Sequence, residues 1–288
     1  MKMTLLLPIL VLLSASPLSA GTLTLYTIRS PKGIDWSSPK RLAKTIVNNY
    51  LGIKRDRIGH VQVELSCQNE KRILSGMNVK SFFDKNPLET LNLGLGFLFE
   101  NFPGKLETEK ESASTLKDKA KQGLLTHITF EINENSCFRL KNFFEDYKEA
   151  GHFKNYGLPN RPRFGEGGGC SAFGIAFMDL AGLLEQKYYD SWMLEKRAPM
   201  NLIGGDLTGE RVSLVKLLTL KSSQDHWANE NQAHHVIQFW SPDHMYNWIK
   251  GKLQQPDSDM AIVEKYGVKG LYINKESVPT PTDPIWQF

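Results

Sequence analysis

Apolar and polar residues alternate in several stretches of this chain, and alternation over five to nine residues predicts half-buried strands. In the clearest stretch, Val61, Val63 and Leu65 share one face, and the polar residues that begin with His60 share the other. A short strand at 72–77 is expected to pair with it as a hairpin. The predicted strands are residues 22–28, 60–66, 72–77, 124–132, 211–220, 234–240 and 267–273.

Helical periodicity predicts four helices between these strands. Ser38 caps the first, with Pro39 in its first turn, and Ser241-Pro242 begins the last in the same way. The stretch 170–184 is apolar on nearly all sides, which is typical of a helix buried at the centre of a domain. The predicted helices are residues 39–50, 138–149, 170–184 and 242–253.

Three segments give weaker signals. Residues 104–122 are rich in charge and poor in large apolar side chains, which predicts an exposed loop with at most a short helix. Residues 151–169 carry glycine and proline and predict a long loop. The pattern of residues 87–102 fits neither a helix nor a strand.

The N-terminal stretch 1–20 has the pattern of a secretory signal peptide. Lys2 supplies a positive start, an apolar run follows, and Leu18-Ser19-Ala20 is a cleavage site. Its removal would leave a single α+β domain at 21–288, secreted or periplasmic, with no stable membrane span. The net charge is small, +4, and the chain contains no dense block of basic residues, so no nucleic-acid partner is expected.

The chain has three cysteines, Cys67, Cys137 and Cys170. In an oxidising compartment an odd number leaves one thiol unpaired. Cys67 and Cys137 each follow a predicted strand, so we expect that any disulfide joins these two and leaves Cys170 free. The alternative is three reduced thiols.

Cys170 is the strongest candidate for chemistry. It follows the glycine run 167–169 and opens the buried helix, where the positive end of the helix dipole favours the nucleophilic thiolate. The glycines would let a substrate backbone approach. The alternative interpretation is a small core cysteine after a glycine-rich loop. Cys137 also precedes a helix and is a weaker candidate.

A thiol nucleophile needs a base, and histidine suits that role because its pKa lies near neutrality. His60 follows Gly59 at the start of a strand, from which it could reach over the sheet edge to a helix N-terminus. His127 has a similar setting. Glu64 on the His60 strand and His127 are candidates for the third group that orients the ring. Backbone N–H groups of Cys170 and Ser171 would form an oxyanion hole.

These motifs, Cys-Ser-Ala-Phe from Cys170 and Gly-His-Val around His60, resemble those of the papain-like superfamily of NlpC-type amidases. The histidine precedes the cysteine here, an order similar to the circularly permuted branch that includes lecithin:retinol acyltransferase-like proteins. The resemblance implies an antiparallel sheet packed against the cysteine helix, with Cys170 as nucleophile and His60 as base. The family's third residue usually lies on the next strand, where this chain offers Arg72 and Ser75.

The expected function is that of an exported cysteine hydrolase, an amidase or endopeptidase that acts through an acyl-enzyme on a peptide or acyl substrate, with peptidoglycan peptides favoured. Two alternatives stay open: a non-catalytic envelope-binding protein on a degenerate papain-like scaffold, and a lipid-directed acyltransferase or esterase with an apolar channel. No cofactor is expected. A metal is not expected either, because adjacent His234 and His235 would point to opposite faces of a strand, and His244 adds no helical two-histidine motif.

Overall fold

The computed structural model describes residues 21–51, 59–80 and 92–288 and shows a mixed α+β fold. The predicted signal peptide at 1–20 lies outside the described residues, as does part of the ambiguous segment 87–102. The strands are β1 (Gly21–Ile28), β2 (His60–Cys67), β3 (Ile73–Ser75), β4 (Met77–Val79), β5 (Phe102–Leu106), β6 (Leu125–Ile132), β7 (Asn155–Tyr156), β8 (Met193–Pro199), β9 (His234–Trp240), β10 (Met260–Lys265) and β11 (Val268–Asn274).

Seven α-helices accompany these strands in the described part of the chain. They are α1 (Pro39–Leu51), α2 (Glu109–Lys121), α3 (Glu134–Glu149), α4 (Cys170–Leu180), α5 (Gln186–Trp192), α6 (Leu214–Leu218) and α7 (Pro242–Gln254). None of the helices in these residues is both long enough and apolar enough to cross a bilayer.

The largest sheet has six strands in the order β10-β11-β6-β1-β2-β3. Its neighbours are antiparallel except for β6 and β11, which run parallel. Leu25 of β1 and Val61 and Val63 of β2 lie on one face, as the alternation predicts, and pack with α3 and α4 in the main core. Gly174 of α4 lets this helix approach closely, since a Cβ there would lie 2.9 Å from Val61 Cγ1.

The other face of this sheet is polar yet buried, which the sequence alone did not indicate. Gln62 and Glu64 are 0% and 6% exposed. Leu116 of α2 packs in a small core with Tyr26 and Ile28 on this face, so the side that was expected to be wet is covered. Its polar side chains are therefore stabilised by contacts with one another.

A second sheet of three strands, β4-β5-β7, continues from the edge of the first. The predicted strand at 72–77 is in fact two short strands that belong to different sheets, and Gly76 lies between them. There is no room for a side chain at Gly76, because a Cβ would lie about 3 Å from Glu107 Oε2 and Val61 O. The chain thus passes from one sheet to the other beside β2.

Cys67 and Cys137 form a disulfide and Cys170 is free, as expected. The Cys170 side chain is also buried, a property that the alternative interpretation of a small core cysteine predicted. The disulfide joins the end of β2 to the first turn of α3. It fixes the sheet to the helix that packs beside α4, and it removes Cys137 as a candidate nucleophile.

Two sequence-based assignments are wrong. Residues 104–122, expected as an exposed loop, contain the end of β5 and the 13-residue helix α2. Residues 211–220, expected as a strand, contain the short helix α6, whose first residue follows the capping side chain of Ser213. Residues 104–122 have too few apolar positions to reveal the helical period, whereas residues 211–220 are so rich in β-branched and apolar residues that the pattern resembles a strand. In both cases capping residues mark the helix starts. The helix at Cys170 also ends earlier than expected, at Leu180.

Candidate active site

Cys170 is the first residue of α4 and is 4% exposed. Gly169 precedes it in an extended conformation and caps the helix without a side chain, so the first-turn N–H groups are not occupied by a capping side chain. The positive end of the helix dipole lies at the sulfur and favours its thiolate.

His60 lies at the start of β2, beside the sulfur. The imidazole hydrogen-bonds with Cys170, and the backbone N–H of Val61 donates to the same sulfur. His60 and Val61 pair with β1 on one side, but on the other side β3 pairs with β2 only from Val63 onward, so this edge is open at His60 and Val61 in the described part of the chain. The start of α4 meets the sheet at this open edge, which is how two residues far apart in sequence come together.

Glu107 is the third member of the group. Its Oε1 lies 3.2 Å from His60 Nε2, as a close ion pair rather than a linear hydrogen bond. The carboxylate also accepts hydrogen bonds from Gln62, Asn78 and Ser112. A buried carboxylate with this many donors is held in one orientation and kept ionised.

The backbone around Glu107 is fixed as well. Its N–H donates to Gly76 O at 2.9 Å, and its carbonyl accepts from Ser75 Oγ at 2.8 Å. The next residue, Thr108, caps α2 in a reciprocal capping box with Glu111. Glu107 is thus clamped between the junction of the two sheets and the start of a helix.

The charges of the group shift the pKa values of its members. Burial works against ionisation of Glu107, but the charge of His60 and the surrounding donors lower the pKa of the carboxyl group to about 2. Burial alone would lower the pKa of His60, yet Glu107 and Cys170 raise it well above its ordinary value. Burial alone would raise the pKa of Cys170, but His60 lowers it. Both shifts favour a thiolate–imidazolium pair next to the Glu107 carboxylate.

Tyr156 of β7 provides a hydroxyl at the sulfur. Its side chain hydrogen-bonds with Cys170, and burial together with the negative charge of Cys170 raises the pKa of Tyr156 well above its ordinary value. A phenol that stays protonated beside a nucleophile can donate to a negatively charged oxygen. The backbone N–H of Cys170 hydrogen-bonds with this hydroxyl as well, so the phenol and the start of α4 lie together beside the sulfur as candidate oxyanion donors.

The glycine run before Cys170 has a different role from the one expected. A Cβ on Gly167 would lie 2.1 Å from Asn155 O, and one on Gly168 would lie 2.8 Å from Pro162 Cγ. The N–H of Gly168 donates to Asn155 O. Gly167 and Gly168 therefore allow the chain to pack closely against Asn155 and Pro162, beside the strand that carries Tyr156.

Neither candidate orienting group from the sequence lies at His60. Glu64 binds Lys265 at 2.6 Å and Tyr26 at 3.2 Å, and Arg72 lies 3.4 Å from it. His127 is fully buried against Gly270, with its Nε2 3.2 Å from Val268 O, and burial lowers its pKa to about 4. The prediction that Glu64 or His127 orients the His60 ring is therefore wrong. The carboxylate that lies beside His60 is that of Glu107.

The remaining candidates lie outside the group. His234 and His235 are the first two residues of β9, and no cluster of three or more His, Cys, Asp or Glu side chains in the described residues could hold a metal ion. Ser171, named for its backbone N–H, is held in place by a hydrogen bond from its hydroxyl to Trp240 O.

A cleft of about 480 Å³ lies in the described part of the molecule, and none of Cys170, His60, Glu107 and Tyr156 lines it. Met193 and His244 do line it; Met193 pairs with Trp240, whose carbonyl accepts a hydrogen bond from Ser171, and His244 lies two residues after Pro242, which is close to Gly59. Trp36 and the charged residues Glu195 and Lys196 also line the cleft.

Sequence reasoning missed Glu107 and Tyr156. Glu107 lies in the segment assigned as an exposed loop, where its charge was unremarkable. One signal was present: Thr108-x-x-Glu111 is a capping box that places Glu107 immediately before a helix. Tyr156 lies in a two-residue strand, which leaves no pattern to detect.

Comparison with models of known protein families found no match, and comparisons with curated proteins and with solved structures found none either.

Proposed function

We propose that this protein is a cysteine hydrolase that cleaves an amide or ester bond through an acyl-enzyme. The observation that carries the proposal is the buried chain of contacts Cys170–His60–Glu107. It combines a nucleophile, a base and an orienting carboxylate, with donors for an oxyanion beside the sulfur.

In the first half-reaction the thiolate of Cys170 attacks the carbonyl carbon, and the carbonyl oxygen becomes an oxyanion held by Tyr156 and the first N–H groups of α4. The tetrahedral intermediate collapses as His60 gives its proton to the leaving nitrogen or oxygen, and a thioester remains on Cys170. In the second, His60 takes a proton from water, the resulting hydroxide attacks the thioester, and the thiolate leaves. Glu107 keeps the imidazole oriented in both steps.

The resemblance to permuted papain-like proteins supports the same proposal. In this chain the strand that begins with His60 comes before the helix that begins with Cys170. That helix packs on a sheet whose strands are mostly antiparallel. In this proposal Glu107 replaces the third polar residue that the family carries on the strand after the histidine. It reaches the imidazole from the end of a strand in the neighbouring sheet.

The proposed location is outside the cytoplasm, with peptidoglycan peptides as the favoured substrate. The Cys67–Cys137 disulfide supports an oxidising compartment, and the signal-like N terminus agrees with export. The alternative of a non-catalytic protein rested on the lack of a third residue to orient His60. In this proposal Glu107 is that residue.

The test is digestion of purified peptidoglycan sacculi and of a general peptide pool by wild type and by Cys170→Ala. We expect new amine termini and soluble fragments from wild type, none from Cys170→Ala, and an acyl adduct on Cys170 in intact-mass spectra at early times. Absence of cleavage and of any adduct, with a thiol that reacts as slowly as an ordinary buried cysteine, would contradict a catalytic role.

A further inference from the structure

The C-terminal residues 283–288, here the C-terminal strap, lie against the segment that leads into Cys170. The N–H of Gln287 donates to Arg163 O at 2.8 Å, and the edge of the largely exposed Phe288 ring lies near Gly165, where a Cβ would be 3.0 Å from it. Arg163 belongs to the single helical turn Pro162–Phe164, between Tyr156 and Cys170. The strap therefore contacts the connection between two members of the candidate site.

Arg163 is the centre of this contact, with a side chain that is only 7% exposed. It binds Asp179 at 2.5 Å, the side chain of Asp283, and the carbonyl oxygens of Pro284 and Ile285. Asp179 lies in α4, the same helix that begins at Cys170. One buried guanidinium thus ties together the strap, the approach segment and the nucleophile helix, a geometry that a lysine could not reproduce.

An aromatic contact runs from the strap to the first turn of α4. The Trp286 ring is 5.3 Å from that of Phe143 and is stacked on Tyr147 at 6.5 Å, and Tyr147 lies 5.2 Å from Phe173. Phe173 is the third residue after Cys170. The strap therefore supports both ends of α4, through Arg163 and through this aromatic cluster.

We propose that Arg163 and the C-terminal strap are positioning elements, which hold the Tyr156 hydroxyl and the start of α4 in the geometry that activates Cys170. The proposal rests on the proposed function. Pro162 lies against Gly168, and Gly168 binds Asn155, next to Tyr156, so displacement of the Arg163 turn would be transmitted to the hydroxyl. No part of the strap touches the reacting atoms.

The experiment compares wild type, a chain ending at residue 282, and Asp283→Asn. Asp257→Asn is the matched control, because Asp257 makes a 2.6 Å ion pair with Lys252 and its side chain is 42% exposed, the same as that of Asp283. The readouts are amide hydrogen exchange over residues 155–170, the pH profile of Cys170 alkylation by iodoacetamide, and the melting temperature.

We expect the truncated chain to remain folded, with faster exchange at Asn155 to Gly168 and alkylation at low pH reduced by about tenfold, which equals one pKa unit. Asp283→Asn should show a smaller change in the same direction, and Asp257→Asn none. The free peptide Asp-Pro-Ile-Trp-Gln-Phe should restore the low-pH reactivity of the truncated chain in a saturable manner, and a scrambled peptide should not.

Unchanged exchange in residues 155–170 after truncation would overturn the proposal, whatever the state of the thiol. Faster exchange with an unchanged alkylation profile would overturn the positioning role while leaving the hydrolase proposal intact. An ordinary thiol in wild type would instead contradict the proposed function itself. If the truncated chain fails to fold, the Asp283→Asn variant provides the test. The proposal then requires that its pH profile of Cys170 alkylation differ from that of Asp257→Asn, and identical profiles would overturn it.

Discussion

Among single residues, Glu107 supplies the buried negative charge that faces His60 in the candidate site. It is buried and ionised, its pKa is lowered to about 2, and it faces an imidazole whose pKa it helps to raise. The raised pKa of His60 and the lowered pKa of Cys170 favour the same charged pair. The pKa shifts of the three groups depend on one another. Removal of the charge of one group should therefore produce a measurable change in the pKa values of the other two.

Glu107→Gln tests the orienting role. The amide keeps the size of the side chain but loses its charge, so we expect the pKa of His60 to fall, the pKa of Cys170 to rise and kcat to drop by about 10²-fold or more. Glu64→Gln is the matched control, since Glu64 is also a buried carboxylate with several partners but does not contact His60. Alkylation profiles and steady-state kinetics check both; equal effects of the two variants would refute the assignment of Glu107.

Protonation of Glu107 in acid should lower the free energy of unfolding. A carboxyl group with a lowered folded pKa contributes stability above its unfolded value of 4.5, and this contribution is lost as the pH falls toward about 2. The excess stability of wild type over Glu107→Gln should therefore shrink by up to about 3 kcal/mol between pH 5 and pH 2. Urea unfolding at both pH values measures this; an excess that does not depend on pH would contradict the ionised state of Glu107.

Tyr156→Phe tests the proposed oxyanion donor. Loss of the hydroxyl should lower kcat by about 10²-fold with little change in KM, because the donor acts mainly on charge that develops in the transition state. The pKa of Cys170 should also rise, since the sulfur loses a hydrogen bond. Tyr188→Phe is the control: that hydroxyl is buried without a hydrogen-bond partner in the described residues. A KM effect with unchanged kcat would assign Tyr156 to substrate binding instead.

Among the secondary-structure elements, the strands with clear alternation and the buried helix could be predicted from sequence. β2 and β6 begin within one residue of their predicted starts, and α4 begins at Cys170 because a capping glycine precedes a run of apolar residues. α2 could not be predicted by its period. Its buried positions are Ser112, Leu116 and Lys119, of which Leu116 alone is a large apolar residue.

The disulfide acts at the scale of elements, because it connects β2 to α3 across 70 residues. We expect Cys67→Ala/Cys137→Ala to lose about 4 kcal/mol of unfolding free energy, as loop-closure entropy predicts for a loop of this length. The alkylation profile of Cys170 should be unchanged in the native state, since neither cysteine contacts the candidate site. Urea unfolding and alkylation of the double variant check both statements, and a shifted alkylation profile would show that the disulfide positions the site.

In the whole molecule, the candidate site is assembled from four separate parts of the chain. His60 comes from the edge of the large sheet, Glu107 and Tyr156 come from beside and within the small sheet, and Cys170 comes from the buried helix. The nucleophile and the base could be predicted because each lies at a recognisable start of an element. The orienting carboxylate and the phenol could not, because their positions depend on how the second sheet bends away at Gly76.

The most direct measurement is the rate of Cys170 alkylation by iodoacetamide against pH in wild type, His60→Ala and the control His127→Ala. Cys170 is the one free thiol in the folded protein, so the label reports on it alone. We predict that wild type reacts with a midpoint well below that of an ordinary thiol, that His127→Ala behaves like wild type, and that the midpoint of His60→Ala lies well above both. Identical profiles for wild type and His60→Ala, or uniformly slow alkylation, would contradict the thiolate–imidazolium pair on which the account depends.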